Sequence, residues 1–223
     1  MFHVKHISCI FLFLIPFFGQ SQAYFKLTDQ PFYFDCPVDT NIQHWVAREF
    51  KKVKGLSPEE SSFFYWVNFV RHRPADFSTY VLAPFLQQFP EVKGKEANTL
   101  IYDLSSFTSR PLLQFSTQLH PATLDHAIDL VGNGGQLSHY SRKGVSFSQR
   151  MKIAGITGCA SENLYTGKND PVLALIMLLL DLGLDPPGHR INMLNPVYSS
   201  MAVSIRPNKK DSTIVLVQEF GCK

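Results

Sequence analysis

Charge is scarce in this chain: 17% of its 223 residues are Asp, Glu, Lys or Arg, and the formal net charge is +3. So weak a balance leaves no electrostatic footprint for nucleic acid or for an anionic membrane surface. The basic pairs Lys51-Lys52 and Lys209-Lys210 read as solvated faces. Cysteine is sparse too, at 4 residues with no CxxC or CxxH spacing, which argues against a thiolate zinc site. No Gly-x-Ser-x-Gly elbow frames Ser138 or Ser161, so the serine–histidine hydrolase suggested by Ser138-His139 is disfavoured. Internal repeats and low-complexity segments are missing. Beyond the N-terminus no stretch is long and apolar enough to cross a bilayer; residues 172–180 are strongly apolar but short, end at Asp181, and read as a buried helix.

What is present describes a globular, exported chain. Apolar residues make up 45% of the sequence, ample for a core. Lys5 precedes an apolar run over 7–18, and Ser21-Gln22-Ala23 supplies small residues at a cleavage position. This predicts a secretory signal over 1–23 and a mature chain starting near Tyr24, secreted or periplasmic. Removing Lys5 with it leaves 20 basic against 18 acidic residues. Cys9 leaves as well, so Cys36, Cys159 and Cys222 remain: one disulfide and one free thiol, or an intermolecular bond. Spacing alone does not choose the pair.

A leader over 24–56 precedes a main domain over 57–223. The leader carries a predicted helix at 41–53 with Trp45, Val46 and Phe50 on one face. Ser57-Pro-Glu-Glu60 opens the next, with an N-cap serine, proline at the first position and glutamate at the third. That helix runs to about Arg71 and stops at Arg73-Pro74. Residues 75–89 read as a third helix kinked at Pro84, and 90–108 as a connecting loop with a short strand at 99–104. Pro111 opens another helical turn. Pro121 starts a helix with Leu124, Ala127, Ile128 and Val131 on its stripe, ended by Gly132, Gly134 and Gly135. Asp170-Pro171 begins a helix over 172–182. Two strands, 201–206 and 213–220, close the chain around an ordinary hairpin loop. Both are apolar on both faces and need layers on both sides. The expected fold is α+β, a three-layer αβα sandwich around a small central antiparallel sheet.

The chemistry lies between Gly134 and Tyr198. Glu162 sits inside a short buried strand, with Gly135-Gln-Leu-Ser-His139 before it and Asp185-Pro-Pro-Gly-His189 after it. Two imidazoles and a carboxylate are costly to bury singly and cheaper as a mutually satisfying cluster. His126 is read as solvated, and His44, His72 and His120 as isolated. Tyr165 and Tyr198 are read as packing residues. Arg71 and Arg190 are read as satisfying carbonyls and carboxylates, and Asn163, Asn192 and Asn195 as bracing the local strand and turn.

The order Asn68-x-x-Arg71, Leu137-Ser-His139, Ser161-Glu-Asn-Leu164 and Gly188-His-Arg-x-Asn-x-Leu194, within residues 60–221, resembles the CAP superfamily. This superfamily groups the cysteine-rich secretory proteins, antigen 5 and pathogenesis-related proteins, and its module is also called the SCP domain. The Gly-His-Arg-x-Asn form is similar to its bacterial branch. The resemblance implies an αβα sandwich with a cleft lined by two histidines, His139 and His189, and two acids. Glu162 matches the first acid; Asp181, one methylene shorter than the glutamate of eukaryotic members, best matches the second, with Asp185 as the fallback. If the Glu162 strand neighbours the last strand, Cys159 and Cys222 come within bonding reach and Cys36 is left free or intermolecular.

Functionally the expectation is a binding module more than an enzyme, taking a lipid or other small ligand in the cleft. A zinc-like divalent cation would sit on His139, His189 and Glu162. Two further readings stay open: a cation-dependent hydrolase using a metal-bound water with Glu162 as base, and an interaction domain for a host or cell-envelope protein partner. Against all three stands a purely structural histidine–carboxylate network.

Overall fold

The computed structural model describes residues 31–222, so the signal expected at 1–23 and the first part of the leader lie outside the described residues. Asp39 caps helix α1, Thr40–Phe50, through its carboxylate on the amides of Asn41 and Ile42. Ile42 and Val46 enter the main core, and the Trp45 indole donates to Leu113 O. Buried Glu49 accepts from the Phe115 amide and from Lys52. The leader helix is thereby tied to the sheet edge.

Helix α2, Pro58–His72, starts with the capping box expected from the sequence, in which Ser57 and Glu60 bond each other's backbone amides. Glu60 is fully buried and does more: its Oε1 accepts from the Ile205 amide and from Arg206 Nη1, both at 2.9 Å. Arg73-Pro74 ends α2, and the chain continues at once as α3, Pro74–Phe77, a π-helical turn, Ser78–Leu82, and α4, Ala83–Gln88. The kink expected at Pro84 is thus a widened turn just before it, closed by the Ala83 amide on Ser78 O. Proline has no N–H for the ordinary ladder, and a π turn carries the backbone past it.

Two local expectations are overturned. The strand expected at 99–104 lies within helix α5, Lys95–Ser106, whose buried residues Ala97, Leu100 and Leu104 follow helical spacing. The helical turn expected at Pro111 is irregular chain leading into strand β1, Gln114–Phe115. Helix α6, His120–Gly132, is where Pro121 placed it, but rotated: Thr123, His126, Ala127 and Leu130 face inward while Ile128 is 53% exposed. Helix α7, Phe147–Ile153, was not anticipated, although Ser146 and Gln149 form a second capping box.

Strand β2, Ala160–Gly167, helix α8, Pro171–Leu180, helix α9, Gly188–Leu194, and strands β3, Ser200–Pro207, and β4, Ile214–Gly221, complete the chain. The sheet order is β1-β3-β4-β2; β2, β4 and β3 are antiparallel neighbours, and β1 adds a parallel step over Ser200 and Met201 alone. The sheet is therefore mixed rather than purely antiparallel. On one face Val203, Ile205, Leu216 and Phe220 join the core formed with α2 and α8. On the other, Leu164, Val215 and Val217 pack on Ala127 and Leu130 of α6. These are the three layers expected. The Cys159–Cys222 disulfide closes the end of the β2–β4 pair, Cα atoms 5.5 Å apart, and Cys36 is free.

Candidate functional site

β2 is an edge strand, and side chains alternate along it. Glu162 shares its face with Leu164 and points toward α6 and α7; Asn163 points to the layer that carries α9. Each of the two residues organises one histidine.

On the first side, Glu162 Oε1 holds His139 Nδ1 at 2.7 Å. The glutamate side chain is 1% exposed and the imidazole 55%. Arg150 of α7 binds Glu162 Oε2 and donates to His139 O at 2.8 Å, so one guanidinium fixes both the acid and the backbone beside the imidazole. His139 stands at the base of a short turn in which Tyr140 bridges Ser146 and Arg142 clasps Asp129. Opposite Glu162 across the strand pair lies Glu219. It is fully buried, accepts from Thr123 Oγ at 2.8 Å, and lies 3.9 Å from Arg150 Nη2. Burial, and then the Glu162 carboxylate beside it, push the Glu219 carboxyl up to about 8. His126, expected in solvent, is 1% exposed, with Nε2 2.9 Å from Ser138 O and 3.8 Å from Glu162 Oε2; burial lowers its pKa.

On the second side, Asp181 is not within helix α8 but caps its end in the left-handed conformation, φ 54°. That bend aims its carboxylate at the start of α9. Oδ1 holds His189 Nδ1 at 2.5 Å, while Oδ2 accepts from the amides of His189 and Arg190. Asn163 Nδ2 reaches His189 O at 3.2 Å and Gln218 Oε1 at 3.0 Å, and Asn192 Nδ2 reaches Asn163 Oδ1 at 2.8 Å. Asp185, the fallback acid, pairs with Lys95 at the surface.

The arginines behave as expected. Arg71 gives its protons to Met193 O, Asn195 O and Tyr198 O; Arg190 binds Leu179 O, Leu180 O, Glu96 O and Asp103. Asn195 braces its turn through the Val197 amide, and Tyr198 stacks on Phe220. Among the described residues no three His, Cys, Asp or Glu side chains are gathered as a metal-ligand group. The arrangement is instead two imidazoles, each held through Nδ1 by a buried carboxylate. An acceptor on Nδ1 leaves the lone pair on Nε2, the tautomer and orientation that suit coordination through Nε2.

A family model for the cysteine-rich secretory protein family, CAP, matches residues 108–220. The chain belongs to that family. Among solved structures, an extracellular protein containing an SCP domain from Bacillus anthracis is similar at 19% identity and a TM-score of 0.48, over 77% of this chain and 45% of that one. An outer surface protein from Borrelia burgdorferi is similar at 18% identity and a TM-score of 0.43, over 51% of this chain and 80% of that one. The present chain thus corresponds to less than half the length of the Bacillus protein. No curated protein matches it significantly.

Three residues of this cluster escape the reading of the sequence: Arg150, His126 and Glu219. The Ser146-x-x-Gln149 box announces the helix carrying Arg150. Glu219 was the one acid in the apolar stretch 214–220, a signal for a buried charge needing partners. His126 is buried and not solvated because the inward face of α6 runs through Thr123, His126, Ala127 and Leu130 and is partly polar.

Proposed function

We propose that this CAP domain is an exported binding module whose His139 and His189 present Nε2 to a divalent cation and, with it, to a small ligand. The observation that carries the reading is the pairing of each imidazole Nδ1 with a carboxylate that is itself buried, at 2.7 Å for Glu162 and 2.5 Å for Asp181. Carboxylates in that position orient metal-binding histidines and raise their basicity. When bound, a zinc-like cation would supply a Lewis-acidic centre for an oxygen or nitrogen donor of the ligand. Both oxygens of Glu162 are engaged, one by His139 and one by Arg150, so no proton-transfer step is routed through it. Export is supported by the charged-then-apolar start and by the Cys159–Cys222 bond, which persists in oxidising compartments.

Calorimetric titration with zinc tests the proposal on wild type and His189→Ala at about pH 7.5 and about pH 5.5. Imidazole must be neutral to ligate, so heat should appear for wild type at the higher pH, shrink at the lower and be lost in the variant. Negligible heat in all four titrations rejects the cation site and leaves a structural network.

A further inference from the structure

The start of α1 with the chain just before it, the end of α2 and the turns that follow surround an open hollow of about 360 Å³. Val38, Asp39, Phe69, Arg73, Asp76 and Tyr80 are among the residues that line it, and none of them takes part in the pairs formed by His139 and His189. Its size is at the small end of ligand pockets. The walls divide by chemistry. Buried Phe69, exposed Val38 and the Tyr80 ring supply apolar surface, and Tyr80 is 40% exposed, within reach of a guest. Asp39, Asp76 and Arg73 supply the charge, two carboxylates against one guanidinium. Arg73 is already engaged by both: its Nε donates to Asp76 Oδ2 at 2.7 Å, and its Nη1 lies 3.5 Å from Asp39 Oδ2. An incoming anion would compete with two resident carboxylates for that one guanidinium. An incoming cation meets the opposite situation. Asp76 meets Arg73 through a single oxygen, and its side chain is 38% exposed, which leaves Oδ1 for a donor. Burial first, then Asp76 and Asp35, push the nearby Cys36 thiol up, so the negative field extends along the leader beside the hollow.

We infer that this hollow binds a primary alkylammonium, a small organic cation with a short apolar chain. The ammonium donates to Asp76 Oδ1 and lies against the Tyr80 ring, while the chain covers Val38 and Phe69. An ammonium has three N–H donors and no acceptor, which suits a wall of carboxylates, and the face of a phenol ring attracts positive charge. The leader thereby contributes part of a binding wall as well as a tie to the sheet edge.

Chemical-shift titration of the isotope-labelled mature chain with butylammonium tests the assignment, with butyrate and tetramethylammonium as comparisons. Butylammonium should shift the amides of Asp39, Arg73, Asp76 and Tyr80 saturably, with a Kd of about 1–10 mM for so few heavy atoms. Butyrate should leave them unmoved. Tetramethylammonium has no N–H to give and should bind at least about fivefold more weakly. Asp76→Asn should weaken butylammonium about 10-fold, and Tyr80→Leu, which keeps apolar bulk but removes the ring face, about threefold. Unperturbed amides in β3 and β4 report that each variant is folded; should one not fold, the three ligands on wild type still decide. The inference is overturned by no saturable shift below about 50 mM butylammonium, by equal shifts with butyrate, by tetramethylammonium binding as tightly, or by an affinity unchanged in Asp76→Asn. His189→Ala should bind butylammonium as wild type does, so this proposal and zinc binding can fail separately.

Discussion

Glu219 gives the most direct handle on the buried network. Its carboxyl is raised from 4.5 to about 8 by burial and by the neighbouring Glu162. The folded protein therefore keeps a proton that the unfolded chain has already released. Stability from this group is complete below the ordinary carboxylate range and is lost as pH rises, until Glu219 ionises in the fold too. Within that window the two states differ by one proton, so unfolding free energy should fall by about 1.4 kcal/mol per pH unit. Glu219→Gln keeps the size and an acceptor for Thr123 but removes the titration. Urea unfolding of both proteins at about pH 6, 7 and 8, with the disulfide intact, reads the difference. Wild type should lose its advantage over the variant by about 1.3 kcal/mol from about pH 6 to 7 and by about 1 kcal/mol from about pH 7 to 8, where Glu219 begins to ionise in the fold. His126 and His120, both lowered by burial, act in the opposite direction on acidification, but they are common to both proteins and cancel. Parallel stability curves for the two proteins would refute a proton held on Glu219 in the folded state.

Replacing Arg150 with methionine should destabilise the fold by about 3–5 kcal/mol in the same urea assay, because it strips the countercharge from a buried acid. Reducing Cys159–Cys222, which closes 63 residues of sequence separation, should cost about 4 kcal/mol and lower the melting temperature measured with and without reductant. Asp181→Asn should weaken zinc binding by about 10- to 100-fold in calorimetry, with the circular dichroism spectrum unchanged. N-terminal sequencing of exported material should find a chain starting near Tyr24, and an integral membrane species retaining Met1 would sink that expectation.

The parts of the fold visible in the sequence were those set by local chemistry. Ser57-Pro-Glu-Glu60 and Asp170-Pro171 announced helix starts because capping is decided within four residues. The strand pair at the C-terminus showed itself by being apolar on both faces. The disulfide follows if the Glu162 strand neighbours the last strand, and the register of β2 with β4 bears that condition out. The failures lay where short apolar runs fit two periods. Residues 99–104 match a strand until Ala97 is added to Leu100 and Leu104, and only packing on the core reveals that spacing. At the site, His139, Glu162 and His189 were legible as a motif, but their partners were not. Arg150 reaches Glu162 from 12 residues away and Glu219 from across a strand pair, and no local pattern connects them. Asp181 is legible from its place before His189, whereas its left-handed turn is a property of the folded backbone.

Glu60 has a consequence for the chain in company. Strand β1 covers β3 at Ser200 and Met201 only, so most of that border has no neighbouring strand. At Ile205 the buried amide that no strand takes is held by the Glu60 carboxylate of α2. Free strand borders are templates on which other chains can add, and they seed aggregation. Here the border is instead covered by α2, and the acid that starts that helix satisfies the strand amide beneath it. A molecule carrying Glu60→Ala would lose more than a helix cap: it would leave a buried strand amide with no acceptor.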